Sequence, residues 1–252
     1  MPLTTTSRPH AASAHAVLEA CGVVAGYGAS AVLRGLDLTV QAGEIYALLG
    51  ANGAGKTTTL SLFMGFVQPV SGSVRVNGSD PAANPTAVRR QLAYIPENVA
   101  LYDYLSAREN VAYLLHLADQ PATAQVIDET LTLAGLDTAA HGRCVSGFSK
   151  GMRQKVSIAL ALARKVPVLL LDEPTSGLDP QATSEFSRIL GLLRTQGVAV
   201  LMVTHDLLSA ADAADRIGFI GSGRLIEEVA ATGADRFDVR ALHRRYAGQG
   251  AA

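Results

Sequence analysis

The segment EIYALLGANGAGKTTTL, Glu44 to Leu60, decides how this chain folds. An apolar run ends at Leu49, and a loop of small residues follows, Gly50-Ala51-Asn52-Gly53-Ala54-Gly55. Lys56, Thr57 and Thr58 then open KTTTLSLFMGFV, a segment with helical character. Gly50, Gly53 and Gly55 with Lys56 and Thr57 fit the spacing G-x-x-x-x-G-K-[ST] of a phosphate cradle. The chemistry accounts for the spacing. Glycine permits the tight turn and lets backbone N–H groups come close to phosphate oxygens. The helix that follows aims the positive end of its dipole at the same anion. Lys56 is then expected to contact β- and γ-phosphates, and the Thr57 hydroxyl to ligate Mg²⁺. A glycine-rich loop matches this pattern by chance less often when a strand precedes it and a helix follows.

The chain is 252 residues long, enough to bury the core of one domain, or of one domain with a subdomain. Its formal charge is −1, so no global field points toward nucleic acid or an anionic membrane surface. Aromatic content is 5% with no Trp, which argues against base stacking. Hydrophobic content is 48% and mean hydropathy +0.22. Even so, the most apolar stretch, KVSIALALARKVPVLLLDEP, is interrupted by Arg164 and Lys165, and no membrane-spanning helix is expected. The apolar excess suits a parallel sheet buried on both faces. The start, MPLTTTSRPHAASAHA, has no basic region ahead of an apolar block and does not read as a signal peptide. Residues 1–15 are expected to be a disordered leader. Cys21 and Cys144 have no metal-type spacing and are expected to be reduced core or surface thiols in a cytosolic protein.

Strand and helix signals alternate along the rest of the chain. GSVRVNG reads as a half-exposed antiparallel strand, and QLAYIPE as a short strand stopped by Pro96. From about 98 to 165 the pattern turns helical, with ARENVAYLLHLA and AQVIDETLTLAGL at three- and four-residue apolar spacing. SKGMRQKVSIALALA opens on a serine in cap position. The strands VPVLLL, GVAVLMVT and RIGFIGS follow, with the helical PQATSEFSRILGLLRTQ between the first two. The pattern predicts an α/β protein with a mainly parallel sheet, interrupted by a helical insert.

Two further constellations bear on chemistry. In VLLLDEPTSGLD, Asp172 ends an apolar strand, where ligands gather in open α/β sheets, and could accept from a Mg²⁺-bound water. Glu173 has the chemistry of a general base toward an attacking water. Taken alone, the acid pair could equally cap the strand; the upstream cradle favours the functional reading. In VTHD, His205 could bond a γ-phosphate and hold Glu173 and the water in place. A histidine at a strand end can also be purely structural.

With the three motifs in this order, the chain resembles the nucleotide-binding subunit of an ATP-binding cassette (ABC) transporter, from roughly Ala16 to Arg245. The resemblance implies a P-loop NTPase core with a small antiparallel β part near the N-terminus and a helical subdomain at about 98–165, within an ATPase domain spanning 16–248. The family signature, usually LSGGQ, reads FSKGM here, with Ser149 and Gly151 matching and Lys150 and Met152 departing. Such variants resemble single-domain cassettes that energise exporters. By the resemblance, Ser149 and Gly151 face the cradle of a second cassette, identical or not, so that ATP is shared between two chains. Tyr27 matches the residue that stacks on adenine, and Asp179 the residue that bridges the dimer. Glu97 stands where the family usually has a glutamine that touches Mg²⁺. A carboxylate can ligate Mg²⁺ but donates no hydrogen bond while ionised.

The resemblance further implies ATP and Mg²⁺ as cofactors and an integral membrane permease as partner, docking near residues 98–105. It places the chain on the cytoplasmic face of the membrane, with no nucleic acid expected. Two rivals remain. A non-transport cassette ATPase in translation, repair or cofactor assembly would fit the same motifs. A small-molecule kinase would use the same cradle but leave FSKGM and THD unexplained.

Overall fold

The computed structural model describes residues 16–28, 30–232 and 236–249; the expected leader lies outside them. In chain order the strands and helices are β1 (Ala16–Tyr27), β2 (Ser30–Gln41), β3 (Ile45–Leu49), α1 (Lys56–Phe63), β4 (Ser71–Val76), α2 (Pro85–Arg90), β5 (Leu92–Ile95), α3 (Ala107–Leu117) and α4 (Ala124–Leu133). They continue with α5 (Lys150–Arg164), β6 (Val168–Asp172), α6 (Pro180–Thr195), β7 (Ala199–Thr204), α7 (Leu207–Ala213), β8 (Arg216–Gly221), β9 (Arg224–Ala230) and α8 (Val239–Gln249).

Two sheets form. The first is antiparallel with order β2-β1-β4, and the second has order β5-β6-β7-β3-β8-β9. In the second sheet every neighbouring pair is parallel except β8 with β9. The apolar runs explain this arrangement. In β3, Ile45, Ala47 and Leu49 enter a core on the helical side, while Tyr46 and Leu48 enter a core shared with the antiparallel sheet. β6 and β7 divide their residues between the same two cores. A strand buried on both faces carries no polar alternation, which is why these segments read as unbroken apolar runs. Each fully buried Val or Leu contributes about 1.5–3 kcal/mol, so three central strands of this kind fix the register of the sheet.

The segment after β5 is helical, as expected. α3 opens with a reciprocal cap in which Ser106 Oγ accepts from Glu109 N at 3.2 Å and Glu109 Oε2 accepts from Ser106 N at 2.8 Å. α4 stops at Leu133, two residues ahead of Gly135, which sits at φ +77°. α5 is capped by Ser149, whose Oγ accepts from Met152 N at 3.3 Å. Arg164, at the far end of α5, donates to the carbonyls of Leu92 and Arg89 at 3.1 Å each, tying the helix to β5 and α2.

The helices α2, α7 and α8 add to the expected elements, and two further elements differ from expectation. The helix after the cradle ends at Phe63 rather than running through KTTTLSLFMGFV. Gly65 stands at φ +72°, and a side chain there would come within 2.6 Å of Pro81 O, so the chain turns away at that point. The antiparallel strand β9 was not anticipated; its alternation of half-buried and exposed residues is that of a sheet edge. Cys21 and Cys144 are both free and exposed, surface rather than core thiols. Among the described residues no helix is long and apolar enough to cross a membrane.

Candidate functional site

Strand order gathers the candidate residues. β6, β7 and β3 are adjacent and parallel, with Asp172 beside Val203 and Thr204 beside Leu49. Their carboxyl ends therefore lie together, and the segments that leave them begin with Glu173, His205 and Gly50. This is the edge at which open α/β sheets bind ligands.

The glycines of the cradle have separate causes. A side chain at Gly50 would lie 2.6 Å from Ile220 O, so the first glycine is required by the neighbouring strand β8. Gly53, at φ +81°, has open space around its Cα and needs only the backbone conformation. Ala51, Asn52 and Thr57 are exposed, while Ala54, Lys56 and Thr58 are buried. The Lys56 amine is not free. It donates to Gly50 O at 2.8 Å and Ala51 O at 3.3 Å, and lies 3.5 Å from Glu173 Oε1.

The acid pair divides into two environments. Asp172 Oδ2 accepts from Thr57 Oγ1 at 3.4 Å and from the Tyr94 hydroxyl at 3.3 Å. Burial pushes the Asp172 carboxyl above its ordinary range, with help from the Glu173 charge and against the bonds from Tyr94 and Thr57. Burial and the Asp172 charge likewise push the Tyr94 phenol up to about 12. Glu173 Oε2 accepts from Thr204 Oγ1 at 3.0 Å, His205 N at 3.2 Å and His205 Nδ1 at 2.9 Å. Burial pushes this carboxyl up, but the bonds from His205 and Thr204 outweigh it and hold Glu173 below the ordinary carboxylate range. Glu173 is also a non-glycine residue at φ +45°, a backbone conformation costing about 1–2 kcal/mol. Its N–H donates to Val203 O at 2.8 Å, which pins the turn to β7.

Mg²⁺ can be tested against these donors. The Thr57 hydroxyl and the Asp172 carboxylate converge within hydrogen-bond distance, and a half-buried carboxylate with a raised pKa gains from a nearby cation. The oxygen donors fit a hard divalent ion. Among the described residues no group of three His, Cys, Asp or Glu side chains forms an all-protein metal cage.

Glu97 sits in a different cluster. Its Oε1 accepts from Ser176 Oγ at 2.9 Å and lies 3.6 Å from Lys150 Nζ. Gly151 packs on the loop after β6, since a side chain there would touch Leu178 Cδ2 at 3.5 Å. Ser149 spends its hydroxyl on its own helix, and Asp179 Oδ1 accepts from Ala182 N at 2.8 Å at the start of α6. Tyr27, 56% exposed, ends β1. The structure thus joins Lys56, Thr57, Asp172, Glu173 and His205, and shows Ser149, Asp179 and Tyr27 capping or ending their own elements. Tyr94, Thr204 and Ser176 were not anticipated. Tyr94 and Thr204 lie in apolar strands, where periodicity alone gives no reason to single out a polar residue.

Several clefts have similar size, and two of them hold candidate chemistry. One of about 640 Å³ is lined by Glu173, Ser176, His205, Leu208 and His243. The other, about 700 Å³, lies among the helices between Arg108, Asp128, Leu133 and His141. Chemistry separates them: only the first contains the strained acid and adjoins the cradle.

A phosphate cradle at the carboxyl edge of a parallel sheet, with an acid pair on the adjacent strand, defines a P-loop nucleotide-binding protein. The profile of the ABC transporter family matches residues 33–176. An ABC transporter ATP-binding protein of Bacillus subtilis is 35% identical over 85% of this chain and 70% of its own length. The bacitracin transport ATP-binding protein of Bacillus licheniformis is 35% identical over 81% of this chain and 66% of its own. This chain therefore spans about two thirds of the length of these relatives. Among solved structures, a dimeric ATP-binding cassette in a post-hydrolysis state, bound to ADP and Pi, superposes with a TM-score of 0.73. It is 26% identical, covering 86% of this chain and 99% of that one. The chain belongs to the ABC transporter family, as one of its ATPase cassettes.

Proposed function

We propose that the chain, read as one ATPase domain over residues 16–248 with a helical subdomain at about 98–165, hydrolyses ATP to drive transport through a separate membrane permease. The observation that carries this reading is Glu173, held ionised in a strained turn 3.5 Å from the cradle lysine. In this mechanism the amides of Gly50 to Thr58 and the Lys56 amine bind the ATP phosphates, and Tyr27 stacks on adenine. Mg²⁺, held by Thr57 and Asp172, would offset the phosphate charge, and Glu97 would join it only on leaving Ser176 and Lys150. Glu173 takes a proton from the attacking water at Oε1, the oxygen not bonded by Thr204 and His205. His205 fixes the carboxylate through Nδ1, leaving Nε2 for the γ-phosphate. Ser149 and Gly151 meet the ATP of a second cassette, and Asp179 bridges the two chains. The permease docks near residues 98–105, on the cytoplasmic face of the membrane, and the variant signature supports export.

The test is co-purification of tagged Glu173→Gln from detergent-solubilised membranes in ATP. The expected result is a stable cassette dimer together with an integral membrane protein. A soluble dimer without a membrane companion would instead favour a non-transport cassette ATPase, and a monomer that still turns over ATP would refute the shared site.

A further inference from the structure

Gln154 lies in α5 just over one turn beyond Ser149 and is 4% exposed. Its Nε2 donates to Pro174 O, in the loop directly after Glu173. Its Oε1 has no partner among the described residues. A reversed amide would set oxygen against oxygen, so the carbonyl of Pro174 fixes its orientation.

The location of this bond is what gives it a use. Glu173 occupies the left-handed region at φ +45°, and such a residue relaxes unless its surroundings hold it. On the strand side the turn is held by Glu173 N to Val203 O at 2.8 Å. On the far side, Thr175 Oγ1 accepts from Ser209 Oγ at 2.8 Å. Pro174, between them, has no N–H, so its carbonyl is its one polar handle. Gln154 grips that handle from the helix that begins at Ser149.

We propose that Gln154 is a positioning residue for Glu173. It transmits the placement of the Ser149 end of α5 to the carboxylate that acts on the chain's own ATP. The inference rests on the proposed function, in which Ser149 meets the nucleotide of the second cassette. Each chain then carries a rigid link from the ATP it shares with its partner to the base of its own site. A shift of α5 on closure moves Pro174, and with it the strained turn.

The test compares full-length Gln154→Leu and Gln154→Met with the wild type, since both keep the side-chain bulk and remove the donor. The expected result is a kcat lowered by up to about 100-fold, the cost of a misplaced group, with KM for ATP within about twofold. In the Glu173→Gln background, Gln154→Leu should leave the residual single-turnover rate and the ATP-dependent dimer unchanged, because the group it positions is gone. An unchanged kcat in both variants would overturn the proposal. So would a parallel loss of kcat, ATP affinity and melting temperature, or a further loss on top of Glu173→Gln. Wild-type hydrolysis by Glu173→Gln alone would instead refute the base assignment, and this inference with it.

Discussion

Lys150 Nζ lies 3.6 Å from Glu97 Oε1, the same oxygen that accepts from Ser176 Oγ at 2.9 Å. These are two of the positions at which the chain departs from the family pattern, an acid for a glutamine and a lysine for a glycine. The structure places one opposite the other, so each departure supplies the charge that the other calls for. The pair is 32% and 44% exposed, so its strength is that of a surface ion pair, about 0.2–1 kcal/mol. A double-mutant cycle on Glu97→Gln and Lys150→Gly, read by urea unfolding, should return a coupling of that size. The charge swap Glu97→Lys with Lys150→Glu should recover most of it. Independent effects of the two single changes would contradict the pairing.

His205→Ala removes the Nδ1 bond that helps hold Glu173 down, leaving burial opposed only by Thr204 and the backbone N–H at position 205. In the wild type Glu173 is ionised through mild acid, and its ionisation adds stability that is fully present above the ordinary value of 4.5. That stability is lost as pH falls through the lower folded value. In His205→Ala the acid limb of the pH–rate profile should therefore move to higher pH, with kcat reduced on the order of 10²-fold. An acid limb that stays in place would detach His205 from Glu173.

Asp172 has the opposite sign. Burial raises its folded pKa, so the ionised carboxylate works against the fold at neutral pH. That penalty fades as pH falls through the folded value toward the ordinary 3.8. Asp172→Asn should raise the melting temperature of the nucleotide-free chain at pH 7 by roughly 1–3 °C, since solvent screens a half-buried site. The same change should weaken Mg²⁺-dependent ATP binding. A lower melting temperature without ligand would refute the assignment of burial as the dominant cause.

The cradle glycines should separate by readout. Gly50→Ala forces a methyl group against Ile220 O and should cost about 1–3 kcal/mol of stability. Gly53→Ala meets no atom within 4 Å and strains only the backbone, by about 1–2 kcal/mol. Its larger effect should fall on ATP affinity, because the loop amides then turn away from the phosphates. Melting curves with and without ATP distinguish the two.

The cradle, the acid pair and His205 were legible because each sits where an apolar run ends, and a run buried on both faces is conspicuous in sequence. The order of those runs in the sheet was not legible. β3 pairs with β7 and β8 from the far end of the chain, and no local signal records that choice. β9 escaped notice because RLIEEVA is polar enough to pass for a connection. The contacts of Glu97 with Lys150, and of Gln154 with Pro174, depend on how α5 lies against the loops of the sheet. Residue type gave a reason to look at Glu97 and Lys150 separately, but only packing makes them partners.

The lysine of the cradle carries one more consequence. Its amine is engaged by Gly50 O, Ala51 O and Glu173 Oε1 at once. An arriving phosphate must win Lys56 from groups tethered in the same chain, whose effective concentration is on the order of millimolar or higher. In kinetic terms the resting cassette, on the proposed function, carries its own competitors for Lys56, the Gly50 and Ala51 carbonyls together with the Glu173 carboxylate. The event that seats the γ-phosphate on Lys56 would also release Glu173 Oε1, so that substrate arms the base and its absence quenches it.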